Sequence, residues 1–192
     1  MTENAKKERH FAMGHFNKRL LRKYDGKKQG WLKGAEKFLV LFIAVFLVFR
    51  FVIGFSVVKG DSMEPTLHKG EAVVYSRING EYRCGDVVSV RVPSGEYYVK
   101  RVIAVEGDTI DLRDGKVYVN DKLLNEPYIQ GETLPQEDSV MKYPYKLQQD
   151  QVFVMGDNRE GSMDSRSFGV VGERQIKGKL LVHIGKFYIR KL

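Results

Sequence analysis

The sequence predicts a mainly β protein: one N-terminal transmembrane helix followed by a compact all-β domain. Three observations carry that expectation. Residues 38–58 read FLVLFIAVFLVFRFVIGFSVV, 12 unbroken apolar residues, then Arg50, then a mostly apolar run. Beyond them come short runs rich in Val, Ile and Tyr, separated by Gly and Asp, the composition of strands and turns. The single cysteine, Cys84, excludes an intrachain disulfide and with it a disulfide-stapled scaffold.

The elements follow in order. Residues 1–37 form a polar arm with 11 Lys/Arg and 4 Asp/Glu. The apolar run comes next. Twenty-one helical residues span roughly 30 Å, the thickness of a bilayer core. A buried core helix with Arg50 facing out is the alternative, and it fits a segment apolar on all sides less well. A cleavable signal peptide fits poorly too, because the basic region is long and no small-x-small site follows. The reading is therefore an uncleaved anchor, with the Lys/Arg excess keeping the N-terminus cytoplasmic. The domains are then a basic cytoplasmic arm at 1–37, a transmembrane anchor at 38–58 and an extracytoplasmic domain at 59–192.

That domain carries 20 Lys/Arg and 20 Asp/Glu. Its neutrality excludes a nucleic-acid-binding domain, which would carry the charge on its folded part. Scattered histidines and one cysteine give no zinc spacing, and no metal is expected. Predicted strands cover 71–75, 86–92, 97–105, 109–112, 116–120, 151–155 and 178–189. Asp114-Gly115 marks a hairpin. Residues 121–150 read as loop-rich, and Cys84 as a structural residue near the core.

Three segments carry chemistry. In GDSMEPTL, residues 60–67, a glycine and a proline bracket Ser62 in a tight turn that presents its hydroxyl. An ordinary post-helix turn explains the same residues. In YVKRVIAV, residues 98–105, strand alternation puts Lys100 on one face and Arg101 on the other, each among apolar neighbours. A lysine buried there loses pKa and becomes a general base toward a serine; a solvated charge pair on an edge strand is the alternative. In GDNREGSMDSRSFG, residues 156–169, Asp and Arg residues pair to stiffen a polar loop, or the loop is simply a solvated one. It is not an EF-hand, since Arg159 occupies a ligand position.

Taken together, in this order, the apolar anchor, GDSMEPTL, RCGDVVSV, YVKRVIAVEGD and VFVMGDNREGSMDSRSFG resemble the bacterial type I signal peptidases of the small Gram-positive form, over roughly residues 38–170. The resemblance implies a membrane-anchored serine endopeptidase that removes signal peptides after small residues at −1 and −3. It implies Ser62 as nucleophile and Lys100 as general base. It makes Ser162 the serine that orients the lysine amine, and Asp164 and Arg166 a supporting ion pair. Asp157, Asn158 and Arg159 match the stretch that shapes the site. The backbone of Gly60 and Ser62 is matched to the oxyanion. Met63, Val58, Leu67 and Tyr98 are candidates for the substrate pocket.

Gly60 stands where some members carry a serine that helps bind the oxyanion, so backbone amides carry more of that task. Ala104 and Glu106 replace a Gly and a Pro common after the lysine. The implied partners are secretory preproteins, the lipid bilayer and a secretion translocase, with no cofactor and no nucleic acid. The implied location is the cell membrane, single-pass, with the catalytic domain outside. The rival readings are a Ser-Lys autoprotease with a similar β core, a tethered non-enzymatic binding domain, and a peptidase for pilin-like or spore proteins.

Overall fold

A computed structural model describes residues 31, 34–78, 80–136, 139–185 and 189–191. Most of the basic arm read over 1–37 lies outside the described residues. The chain divides into two units, residues 1–48 and 49–192.

A helix, α1, covers residues 34–51. Its apolar side chains from Phe38 to Phe49 are exposed, Phe38 at 76% and Phe46 at 57%. Among the described residues no helix is long and apolar enough to cross a membrane.

The apolar run expected as one helix over 38–58 is divided. The helix ends at Phe51, and Ile53–Val57 is strand β1. Apolarity alone does not separate a buried helix from a strand. Gly54 decides it locally, because a Cβ there would sit 2.2 Å from the Tyr75 ring. The β unit thus begins before residue 59.

The remaining strands are β2 (Ala72–Ser76), β3 (Val87–Arg91), β4 (Tyr97–Ala104), β5 (Thr109–Arg113), β6 (Lys116–Val119), β7 (Lys122–Leu123) and β8 (Tyr145–Lys146). They continue with β9 (Gln151–Met155), β10 (Val171–Gly172), β11 (Ile176–Ile184) and β12 (Ile189–Lys191). One four-residue helix, α2 (Ser165–Phe168), precedes β10. Among the described residues, eight strands form one sheet in the order β1-β2-β11-β3-β4-β9-β10, with β12 beside β11. A second sheet runs β7-β6-β5-β8. The pairings are antiparallel.

The predicted strands match β2 to β6, β9 and β11 within a few residues. The 178–189 run is split into β11 and β12 around residues outside the description. The hairpin turn at Asp114-Gly115 has φ of 51° and 70°, the left-handed pair a two-residue loop needs. The loop-rich 121–150 segment contains β7 and β8, each only two residues long.

Strand alternation builds the core. In β9, Val152 and Val154 pack with Val88, Val90, Val102 and Ile176. Phe153 and Met155, on the other face, pack with Ile103, Ile110 and Val117. This strand is therefore buried on both faces, each large apolar side chain contributing ~1.5–3 kcal/mol. A further cluster holds Val58, Met63, Leu67, Val73, Tyr75, Val87 and Leu180, and it lies beneath the segment carrying Ser62. Cys84 is exposed, not near the core as the sequence suggested. The glycine beside it adopts a positive φ, so the segment turns here and the strand begins only at Val87.

Candidate active site

Ser62 stands on a turn anchored from below. Met63 and Leu67 are buried in the core, and the Leu67 amide donates to the Met63 carbonyl at 2.9 Å. The Glu64 amide donates to Asp61 at 3.0 Å. With two apolar side chains fixed inward, the serine between Asp61 and Met63 faces outward into a groove. The Asn158 amide donates to the Ser62 carbonyl at 3.1 Å, which ties this turn to the distant 156–169 loop.

Lys100 arrives from β4, held between β3 and β9. Its side chain is buried at 2% exposure, and its Nζ donates to Ser62 Oγ at 2.7 Å. Burial pulls its pKa from the ordinary 10.5 down to about 8, because a charge is poorly solvated there. Asp164, Asp157 and Asp61 pull it back up, and Arg166 adds to the lowering. Among the described residues no histidine takes this place. His183 pairs with Glu71 at 3.1 Å, and His68 lies 3.5 Å from Glu64.

The loop after β9 frames the pair. Asp164 caps α2 and accepts from its own neighbour's fork: Arg166 Nε reaches Oδ1 and Nη2 reaches Oδ2, both at 2.9 Å. The Gly156 amide also donates to Asp164, at 3.0 Å. Arg166 Nη2 donates onward to the Arg159 carbonyl at 2.6 Å. Arg159 is ion-paired with Glu126 and donates to Thr133. Asn158 Nδ2 donates to the Asp61 carbonyl at 3.4 Å. Such two-point guanidinium–carboxylate contacts fix geometry as well as charge.

The expected bond from Ser162 to Lys100 is not made. Ser162 Oγ is buried without a hydrogen-bond partner. A Cβ built on Gly156 would meet Ser162 Oγ at 2.2 Å and the Ser62 carbonyl at 2.5 Å. Gly156 thus packs against both the Ser162 side chain and the Ser62 carbonyl, and only glycine fits there.

The groove beside Ser62 has a volume of about 650 Å³. Of the pocket candidates, Val58, Met63 and Tyr98 line it, together with Gly60, Ser62 and Lys100. Leu67 does not line it; it is fully buried in the cluster beneath, because the turn points position 67 inward with Met63. Among the described residues, the amides of Gly60 and Ser62 enter no backbone hydrogen bond.

Sequence reasoning gave no supporting role to Arg101, Tyr128, Thr66, Glu126 or Thr133. Arg101 forks onto Asp157 at 2.8 and 2.6 Å, and stacks over Tyr128 at 4.0 Å. Burial alone would lower the Arg101 pKa; the Asp157 hydrogen bond and charge outweigh it and raise it. Thr66 donates to Asp157 at 2.5 Å. Glu126 and Thr133 hold Arg159. Arg101 was flagged by its apolar neighbours, and the others carried no such signal, lying in turns or loops.

A buried lysine hydrogen-bonded to a serine on the wall of a groove is an arrangement that fits a serine hydrolase. The chain matches the family described as "Signal peptidase, peptidase S26" over residues 31–184. It is 36% identical over 165 residues to signal peptidase I P of Bacillus subtilis subsp. natto, covering 79% of this chain and 88% of that one. It is 37% identical over 157 residues to signal peptidase IB of Staphylococcus aureus, covering 73% and 82%. A solved signal peptidase I from Enterococcus faecalis is 27% identical, with a TM-score of 0.44, covering 53% of this chain and 97% of that one. The chain belongs to the signal peptidase family, peptidase S26, and is a serine peptidase.

Proposed function

We propose that this peptidase removes N-terminal signal peptides from exported preproteins with a Ser62–Lys100 dyad, cutting after small residues at −1 and −3. The 2.7 Å bond between Lys100 Nζ and Ser62 Oγ carries the reading. At that distance a neutral amine takes the serine proton directly.

The preprotein lies in the groove as an extended strand, between residues 56–60 and 97–100. Lys100 accepts the Ser62 proton as Oγ attacks the scissile carbonyl. The Ser62 and Gly60 amides face the developing oxyanion. The amine product leaves with the proton from Lys100, and an ester to Ser62 remains. Lys100 then deprotonates a water, which releases the signal peptide carboxylate and restores Ser62. Gly156 packs against the Ser62 carbonyl from behind, and Asp157, Asn158, Arg159, Asp164 and Arg166 fix the loop that contributes it. No step calls for a metal or an organic cofactor.

The reading includes a membrane anchor in the apolar part of α1, residues 38–51, with a cytoplasmic N-terminus and the β unit outside. The exposed apolar side chains of 38–49 support it, as does the basic charge of 1–37, the sign found on the cytoplasmic side. Anchoring confines enzyme and substrate to one surface and raises their effective concentration.

The test is cleavage of a preprotein with an Ala-x-Ala site by detergent-solubilised full-length protein. Wild type, Ser62→Ala and Lys100→Ala are compared, and the new N-terminus is mapped by mass spectrometry. Cleavage after the Ala-x-Ala site by wild type alone is the expected result. Activity surviving in Lys100→Ala would refute the dyad and turn attention to His68 and His183.

A further inference from the structure

The groove extends past the dyad, and its far part carries charge that the cleavage step does not use. Four charged side chains line it: Lys59, Glu96, Lys100 and Lys177. Lys100 is the base. Glu96 accepts from the Tyr98 hydroxyl at 3.3 Å and from Ser94 at 3.5 Å. Lys59 is exposed. Lys177 is different. It is half-buried, and among the described residues no carboxylate lies within ion-pair distance of it, whereas its neighbour Lys179 pairs with Asp86 at 2.6 Å.

Aromatic faces hold Lys177 instead. Its Nζ lies 4.5 Å from the Tyr97 ring centroid and 5.3 Å from that of Tyr75. Ring faces attract a cation without cancelling its charge. The Tyr75 ring is itself fixed: it is buried, and a Cβ on Gly54 or Gly178 would lie 2.2 or 2.8 Å from its atoms. The two glycines let backbone close on the ring from β1 and β11. Lys177 leaves β11 beside a bulge between Ile176 and Gly178, the type of irregularity that re-aims a side chain. The result is a positioned, uncompensated ammonium on the groove wall.

Tyr97 precedes Lys100 by three residues in β4, about 10 Å along a strand. A substrate strand laid along β4 therefore brings a side chain near Lys177 a few residues from the scissile bond. Resting on the signal-peptide reading above, we infer that Lys177 is a specificity-determining residue that selects substrates with an acidic side chain a few residues before the small-residue cleavage motif. Ser89 and Ser56, also on the groove wall, offer hydroxyls to the same carboxylate.

The experiment uses detergent-solubilised full-length protein and a parent peptide with an Ala-x-Ala site. Asp, Asn or Lys is placed in turn at each of positions −4, −5 and −6, and kcat/KM is measured. At one of these positions the Asp peptide is cleaved about fivefold better than the Lys peptide, the upper range for a partly exposed ion pair. Raised salt shrinks this ratio in the wild type. Lys177→Arg keeps the preference, Lys177→Met removes it and Lys177→Glu reverses it, each with an unchanged melting temperature. A wild type that cleaves the parent peptide but treats Asp and Lys alike at every position overturns the inference, as does a ratio unchanged in Lys177→Met. Failure to cleave the parent peptide at all overturns the signal-peptide reading instead, and this inference with it.

Discussion

The sharpest consequence of the proposed Ser62–Lys100 dyad is a pH profile set by the lysine. In that proposal only the neutral amine accepts the Ser62 proton, so kcat/KM rises with pH and levels off above the Lys100 pKa. With a pKa of about 8, about 9% of the amine is neutral at pH 7, and about 91% at pH 9. The expected gain between those two pH values is therefore about tenfold, with a midpoint near 8. An ordinary lysine at 10.5 would be only ~0.03% neutral at pH 7, so burial multiplies the competent fraction by about 300. The assay is initial-rate cleavage of an Ala-x-Ala peptide from pH 6 to 10, with melting curves at each pH to exclude unfolding. Substrate in the groove excludes more water, so the kcat limb should sit at lower pH than the kcat/KM limb. A profile flat from pH 6 to 9, or a midpoint near 10.5, would refute the reasoning.

Other perturbations separate the parts of the site. Gly156→Ala drives a methyl into Ser162 and the Ser62 carbonyl; overpacking of this kind costs about 1–3 kcal/mol, read by thermal melting, and kcat should fall with it. Lys100→Met should abolish cleavage yet raise stability at pH 7. The folded-state pKa lies below the unfolded one, so the buried charge is a penalty at pH below about 8, worth up to ~3 kcal/mol. That penalty fades as pH climbs from 8 toward 10.5, so denaturant curves of the two proteins should converge there; a variant less stable at pH 7 contradicts this. Asp164→Asn removes a charge that raises the lysine pKa and should move the rate midpoint below 8, whereas Arg166→Met removes a charge that lowers it and should move the midpoint up. Equal profiles in both variants would show that the ion pair does not reach Lys100.

Much of the β unit was legible because its strands are short, Val-, Ile- and Tyr-rich and bounded by turn residues. The Asp114-Gly115 turn needed only the φ preferences of two residues. β1 was not legible: an apolar run without alternation looks the same whether it is helix or strand, and the deciding contact, Gly54 on Tyr75, joins residues from two strands. Ser62 and Lys100 were prominent by motif. Their partners in the second layer were less so, since the Thr66–Asp157–Arg101 cluster closes over 91 residues of chain. Local sequence cannot announce such a cluster. Leu67 shows the opposite failure. It sits in the same motif as Ser62, yet a single helical turn points it into the core.

The ion pairs around the dyad have an electrostatic role that follows from their positions. A lysine kept neutral enough to act needs desolvation, but a polar site that receives a peptide bond needs carboxylates and amides nearby to hold its loops. Each carboxylate close to Lys100 works against its lowered pKa. Here Asp164 is met by the fork of Arg166, and Asp157 by the fork of Arg101. The carboxylates thus shape the loop while their charge is balanced locally, and burial remains the largest influence on the lysine. The arrangement stores its cost in the folded state: four buried charges are stable only as pairs, and the lysine is less stable charged than exposed. The same feature that lowers stability at neutral pH supplies the base of the proposed dyad, so under that proposal removing the lysine should strengthen the fold and end the chemistry.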